Sequence, residues 1–182
     1  LMRKICLDTN AIIDICYRYY PSSVFRTIWD YLLNSISAGI IKFIVSEEIY
    51  QEVNAKVNFF VNYDIKVLEN FFTSFNIDVI PKVNYDYQLI ELQKQMVDDL
   101  PYFQNMKVDK RFKQIENIRN DLSNVAVAIA NKACVLTSEQ GLRKDISKDV
   151  VAVIKIPDTC SYKEVDCYSW LELFDYLGIP EI

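Results

Sequence analysis

Short apolar runs alternate with longer stretches of helical spacing along the chain. Ile5-Cys6-Leu7 is an apolar run that stops at Asp8-Thr9-Asn10, the pattern of a buried strand ending in a polar turn. Val24, Phe25, Ile28, Leu32 and Ile36 fall at helical spacing between Pro21 and Gly39, which predicts a helix over Ser22–Ala38. A strand over Ile40–Val45 follows. Ser46 then caps a helix to about Phe60, with Glu48 and Glu52 one turn apart on one face. The pattern continues with a helix over Ile65–Phe75, a strand over Ile77–Ile80 and a helix over Tyr85–Leu100. Pro101–Asn117 is charged with little periodicity and reads as a loop leading into a helix. Asp121–Ala133 is an alanine-rich helix, Cys134–Leu136 a strand and Val150–Ile154 another. A loop through Ile156-Pro157-Asp158 precedes a last helix over Tyr168–Leu177. Strands alternating with helices predict an α/β fold, a mainly parallel sheet covered on both faces, as one domain over residues 1–182.

Composition narrows the chemistry. Histidine is absent, which excludes Ser-His-Asp triads, Cys-His dyads and histidine-ligated zinc. The three glycines lie far apart, so no phosphate-cradling glycine loop is available. The net charge of −5 argues against non-specific wrapping of nucleic acid and requires any phosphate-binding surface to be local. Five cysteines without a C-x-x-C pair, no leader-like segment after Leu1-Met2-Arg3-Lys4, and no apolar run near the ~18 residues of a membrane helix imply a reducing cytoplasm and no membrane.

In an open parallel sheet, ligands bind beyond the carboxyl ends of the strands, so the residues after each apolar run carry the information. Asp8 follows the first run and Glu139 the run Cys134–Leu136; Asp121 opens the helix feeding that run, and Glu48 and Glu52 follow Ile40–Val45. Each acid alone has a plain explanation. Asp8 suits a turn that caps the next helix, Asp121 an N-cap, Glu139 a first-turn acid, and Glu48 and Glu52 a solvated face. Together they converge at one edge of the sheet, where like charges repel strongly. No lysine sits among these motifs, so a hard divalent cation such as Mg²⁺ or Mn²⁺ is the natural compensation. Two such ions can activate water and stabilise the leaving oxygen of a phosphodiester without histidine.

Leu7-Asp8-Thr9-Asn10, Ser46 with Glu52 six residues later, and Asp121-Leu-Ser-Asn-Val-Ala-Val-Ala-Ile-Ala followed by Thr137-Ser138-Glu139 together resemble the motifs of PIN-domain proteins. These are a family of Mg²⁺-dependent ribonuclease-like proteins that includes many bacterial toxins. Nearly the whole chain also resembles a PIN-like subfamily known only as a domain of unknown function. That likeness rests on Tyr19-Tyr20-Pro21, Trp29, Thr137-Ser138-Glu139 and Lys155-Ile156-Pro157-Asp158-Thr159-Cys160. The resemblance implies a three-layer α/β/α sandwich and a metal-dependent endoribonuclease acting on single-stranded RNA, of the toxin-antitoxin type. It implies catalytic roles for Asp8, Glu52, Asp121 and Glu139, with Asp8, Asp121 and Glu139 on Mg²⁺ or Mn²⁺ and Thr9, Asn10, Asn124 and Thr137 in support. An antitoxin protein and a homodimer are the partners such proteins suggest. Lys110, Arg111, Lys113 and Arg143 are candidate RNA contacts; a solvated, charge-balanced surface is the alternative for them. Asn120 and Asn124 depart from the family pattern, which leaves room for a catalytically inactive scaffold that binds a protein or RNA.

Overall fold

The computed structural model describes Met2–Pro180; Leu1, Glu181 and Ile182, the ends of the span read as one domain, lie outside the described residues. Five strands form one sheet in the order β3-β2-β1-β4-β5, every pair parallel. They are β1 (Arg3–Leu7), β2 (Ile41–Ser46), β3 (Asp78–Ile80), β4 (Cys134–Leu136) and β5 (Cys167–Tyr168). Successive side chains of a strand point to opposite faces. Ile5 and Leu7 of β1 and Phe43 and Val45 of β2 therefore enter one core, and Cys6 and Ile44 enter the other.

The first core is covered by α1 (Thr9–Ile13), α2 (Arg26–Ser37), α3 (Glu47–Phe59), α4 (Ile65–Ser74) and α10 (Trp170–Tyr176). The second is covered by α5 (Asp86–Asp99), α6 (Pro101–Gln104), α7 (Val108–Asn117), α8 (Arg119–Asn131) and α9 (Ile156–Tyr162). The result is a helix–sheet–helix sandwich. From β1 the chain builds outward through β2 to β3, then returns to the other side of β1 as β4 and β5. The strand order therefore switches between β1 and β4, where a parallel sheet opens a crevice beyond its carboxyl ends.

Several elements differ from the sequence pattern, each for a physical reason. Asp8 leads into α1 and a single π-helical turn over Asp14–Arg18, neither of which the pattern shows. Ala11, Ile12, Ile13, Ile15 and Cys16 are all buried, so the segment lacks the one-sided apolar stripe of a surface helix. Helix α2 starts at Arg26, four residues after Ser22. Pro101–Asn117 is helical in two pieces, α6 with Pro101 in its first turn and α7, whose one buried residue is Ile115. Val150–Ile154 is not a strand: Val151 and Ile154 are buried in the second core, but the segment pairs with no strand. The last strand of the sheet is Cys167–Tyr168 instead, paired with β4 and too short to show a period. Ile156-Pro157-Asp158 is the first turn of α9, with proline where a helix needs no N–H.

Candidate active site

Asp8 stands at the carboxyl end of β1, its N–H donating to the Leu136 carbonyl of β4 at 3.0 Å. It occupies the N-cap position of α1 but makes no capping bond with its side chain, so helix capping does not account for it. Its Oδ2 accepts from the Thr137 hydroxyl at 3.0 Å, and Thr137 Oγ1 accepts the Glu139 N–H at 3.1 Å. One buried hydroxyl thus ties the acid after β1 to the acid after β4. No helix follows Thr137, so Glu139 is not a first-turn acid; it lies in a coil that runs to Lys155.

Asp121 and Glu52 arrive from two helices locked together at their starts. Ser46 caps α3, its Oγ accepting the Ile49 N–H at 3.0 Å. The same oxygen lies 2.8 Å from Ser123 Oγ, which donates to the Asn120 carbonyl at 2.6 Å. The hydroxyl pair sets α3 against α8 and so fixes Glu52 relative to Asp121, the third residue of α8. The three glutamates of α3 divide their work. Glu47 accepts the Lys82 N–H at 2.8 Å, Glu48 lies 3.8 Å from Arg119, and Glu52 is close enough to Asp121 to act on its charge.

The electrostatics show how near the four acids are. Asp8 is 2% exposed, and burial, then Asp121, then Glu139 push its carboxyl up to about 7, against the opposing hydrogen bond from Thr137. Burial first, then Glu139 and Glu52, raise Asp121 to about 6. The two cations that oppose this rise are Lys155 and Lys56. Their presence corrects the expectation that no lysine sits among these motifs. Lys56 Nζ is 3.1 Å from Glu52 Oε1, and Asn120 Nδ2 donates to Glu52 Oε2 at 2.6 Å. Lys155 Nζ is 3.4 Å from Glu139 Oε1, and the Ile156 N–H donates to Glu139 Oε2 at 3.0 Å. Both glutamates are turned to these partners, whereas among the described residues Asp8 has no cation beside it. Among the described residues, no three carboxylates or thiols stand gathered around a point that could hold an ion.

The remaining sequence candidates fall around this centre unequally. Thr9 is buried with an unpartnered hydroxyl. Asn10 turns its amide oxygen to Arg18 Nη2 at 3.2 Å. Asn124 lies fully buried under β1, accepting from the Cys6 thiol at 2.6 Å, with its Nδ2 unpartnered. Lys110 and Lys113 are exposed on α7. Arg111 is engaged in structure, donating to the Met106 and Gln104 carbonyls at 3.0 Å each. Arg143, at φ +55°, lines an open groove of about 1090 Å³ with Thr137, Glu139, Lys144, Pro157 and Tyr168, so of the four acids Glu139 borders the groove.

Sequence reasoning gives no site role to Lys56, nor to Lys155 and Asp158, which enter it only through the motif Lys155–Cys160. The i,i+4 spacing of Glu52 and Lys56 was a usable signal. Asp158 is buried, and its Oδ1 accepts the Leu142 N–H at 2.7 Å, holding the coil after Glu139 against α9. Gly141 passes so close that a Cβ there would meet Asp158 Oδ1 at 3.0 Å.

A family described as "Domain of unknown function (DUF4411)" matches residues 5–180. No curated protein matches the chain by sequence. Among solved structures, a chain in the crystal structure of VapBC2 from Rickettsia felis, bound to a DNA fragment from their promoter, is similar in fold. It superposes with a TM-score of 0.56 at 14% identity, over 92% of this chain and 98% of that chain. The architecture is the PIN-like α/β/α sandwich.

Proposed function

We propose that this protein, which belongs to the DUF4411 family, is a metal-dependent endoribonuclease that hydrolyses phosphodiesters of single-stranded RNA. The observation that supports this most is the pair Asp8 and Asp121. Both are raised by burial and by neighbouring acids at the sheet's switch point, and among the described residues Asp8 has no cation of its own. A fold bears that cost where a ligand relieves it. The donor set consists of oxygens alone, which suits Mg²⁺ or Mn²⁺. Asp8 and Asp121 would hold the ion, with Glu139 joining them on release from Lys155 and the Ile156 N–H. When bound, such an ion supplies an activated water and charge stabilisation at phosphorus.

The chain's own residues do the rest. Thr137 orients Asp8 through its hydroxyl and Glu139 through that residue's N–H. Ser46 and Ser123 keep Glu52 in register with Asp121. Glu52, bound by Lys56 and Asn120, completes the acidic wall. The groove beginning at Thr137 and Glu139 gives a strand a path away from the acids. The toxin-type reading brings an antitoxin protein with it. The Rickettsia felis VapBC2 structure holds promoter DNA; a chain of net charge −5 would meet DNA through such a partner rather than by itself.

A scaffold that binds without cleaving is the second reading, favoured by the lysines already balancing Glu52 and Glu139. The assay that decides is cleavage of a broad single-stranded RNA pool with Mg²⁺ or Mn²⁺. Cleavage stopped by EDTA, and reduced about a hundredfold or more in Asp121→Asn, supports the enzyme; each decade is ~1.4 kcal/mol of barrier. No cleavage by the folded protein with either metal leaves the scaffold.

A further inference from the structure

We propose that Lys155 is a phosphate-binding residue of this site, its ammonium positioned to meet the non-bridging oxygens of an RNA phosphate beside the acids. The inference rests on the nuclease reading and names a cation that reading lacks. Lys155 is built into the site from a distance. It comes 16 residues after Glu139 (155 − 139), at the start of α9, yet its ammonium lies 3.4 Å from Glu139 Oε1. Its root is fixed: the Lys155 carbonyl accepts from the Thr159 N–H at 3.1 Å and from the Thr159 hydroxyl at 3.2 Å.

Its tip is held loosely. A charge-assisted N–H···O bond closes to about 2.7–2.9 Å, and this one is longer, with the side chain 37% exposed. Glu139 does not need the lysine for a partner, because the Ile156 N–H already donates to its other oxygen. The ammonium is therefore a loosely paired positive charge beside Glu139, which lines the groove, and it acts on Asp121 as well. Lys56 has no comparable place: its contact with Glu52 is an ordinary i,i+4 pair within one helix. The basic residues of α7 do not substitute for it either. The cations acting on Asp121 are Lys155 and Lys56, and Arg111 is spent on backbone carbonyls.

The test is the affinity of the full chain for a fluorescent single-stranded RNA in EDTA, so that binding is read without cleavage, over a series of salt concentrations. Lys155→Met should weaken binding about tenfold, as loss of a charged hydrogen bond does. It should also reduce the salt slope by about 0.7, one phosphate contact on a single strand. Lys155→Arg should keep both. A Mn²⁺ titration without RNA separates this role from support of the acids: Lys155→Met should bind Mn²⁺ as tightly as wild type or more tightly, because a competing cation has gone. Weaker Mn²⁺ binding would make the lysine a support for Glu139 and overturn the inference. Equal RNA affinity and slope in wild type and Lys155→Met would overturn it while leaving the nuclease reading standing. Wild type that binds no RNA in EDTA would overturn the inference as well, and cleavage with Mg²⁺ or Mn²⁺ then decides the nuclease reading separately.

Discussion

Replacing Asp8 by Asn should stabilise the metal-free protein, although it alters a fully enclosed residue of the candidate site. Burial and neighbouring acids raise the Asp8 carboxyl from 3.8 to about 7. The folded chain therefore keeps a proton that the unfolded chain has already released. The contribution of this group to stability is fully present below about pH 3.8, is lost as pH rises toward 7, and levels off above it. A shift of about 3 units at ~1.4 kcal/mol each sets a ceiling of about 4 kcal/mol on this cost at pH 8. Asparagine removes the charge but keeps an acceptor for the Thr137 hydroxyl, which donates to Asp8 Oδ2 at 3.0 Å. Its own amide must still be buried, so the net gain should be about 1–3 kcal/mol, or roughly 3–10 °C in Tm for a chain of this size. Thermal melts of wild type and Asp8→Asn in EDTA at pH 8 and pH 5 give the measurement. The variant should gain clearly at pH 8 and much less at pH 5. A variant that is destabilised equally at both pH values would show that the charge on Asp8 costs the fold nothing, and the electrostatic argument for the site would fail.

Four further outcomes follow from the same geometry. Mn²⁺ at a hundredfold its Kd should stabilise wild type by about 2.7 kcal/mol, and Asp8→Asn should lose most of that gain in a thermal melt; equal shifts would place the metal elsewhere. Glu52→Gln should depress cleavage strongly and Glu48→Gln mildly, since Glu48 lies by Arg119 while Glu52 is close enough to Asp121 to act on its charge; the reverse order would move the second acid by one helical turn. Asn124→Leu should fall within about 1 kcal/mol of wild type or melt higher, because loss of the Cys6 thiol bond is offset by removal of a buried Nδ2 without a partner; a tenfold loss of cleavage at unchanged Tm would give Asn124 a part in the site. Lys110→Ala with Lys113→Ala should flatten the salt dependence of RNA binding by about 0.7 per lost contact, and an unchanged slope would assign both to solvated surface.

The parts of the fold that were legible are those where local pattern and tertiary role coincide. Ile5-Cys6-Leu7 is apolar throughout because β1 is the central strand, with Ile5 and Leu7 in one core and Cys6 in the other. Ser46 announced α3 because its hydroxyl does cap it. Pattern and role separate at the sheet's edge. Val150–Ile154 has the composition of a strand, yet Val151 and Ile154 serve the second core from a coil while Val150 and Val153 are exposed. The strand beside β4 is Cys167–Tyr168, whose place is set by its bonds to β4: Asp166 accepts the Val135 N–H at 2.9 Å and Tyr168 the Thr137 N–H at 3.0 Å. Nothing in two residues can signal that. The buried helix after Asp8 was hidden for the opposite reason, since a helix enclosed on all sides has no polar face to reveal its period.

The candidate site divides along the same line. Its acids could be read because topology alone brings strand ends together: any parallel sheet with β1 beside β4 sets the residue after Leu7 against those after Leu136. Its cations could not, apart from Lys56, because a salt bridge across a 16-residue separation depends on the path of the coil between Glu139 and Lys155. That path is set by contacts invisible to periodicity, the Asp158 bond to the Leu142 N–H and the tight passage of Gly141. The consequence is chemical as well as structural. Four acids read without their lysines demand a dication outright. With Lys56 on Glu52 and Lys155 on Glu139, the unrelieved charge is confined to Asp8 and Asp121. Metal affinity should then depend more steeply on those two aspartates than on either glutamate. Parallel Mn²⁺ titrations of Asp8→Asn and Glu139→Gln measure the difference, and a larger loss in Glu139→Gln would return the glutamate to the centre of the site.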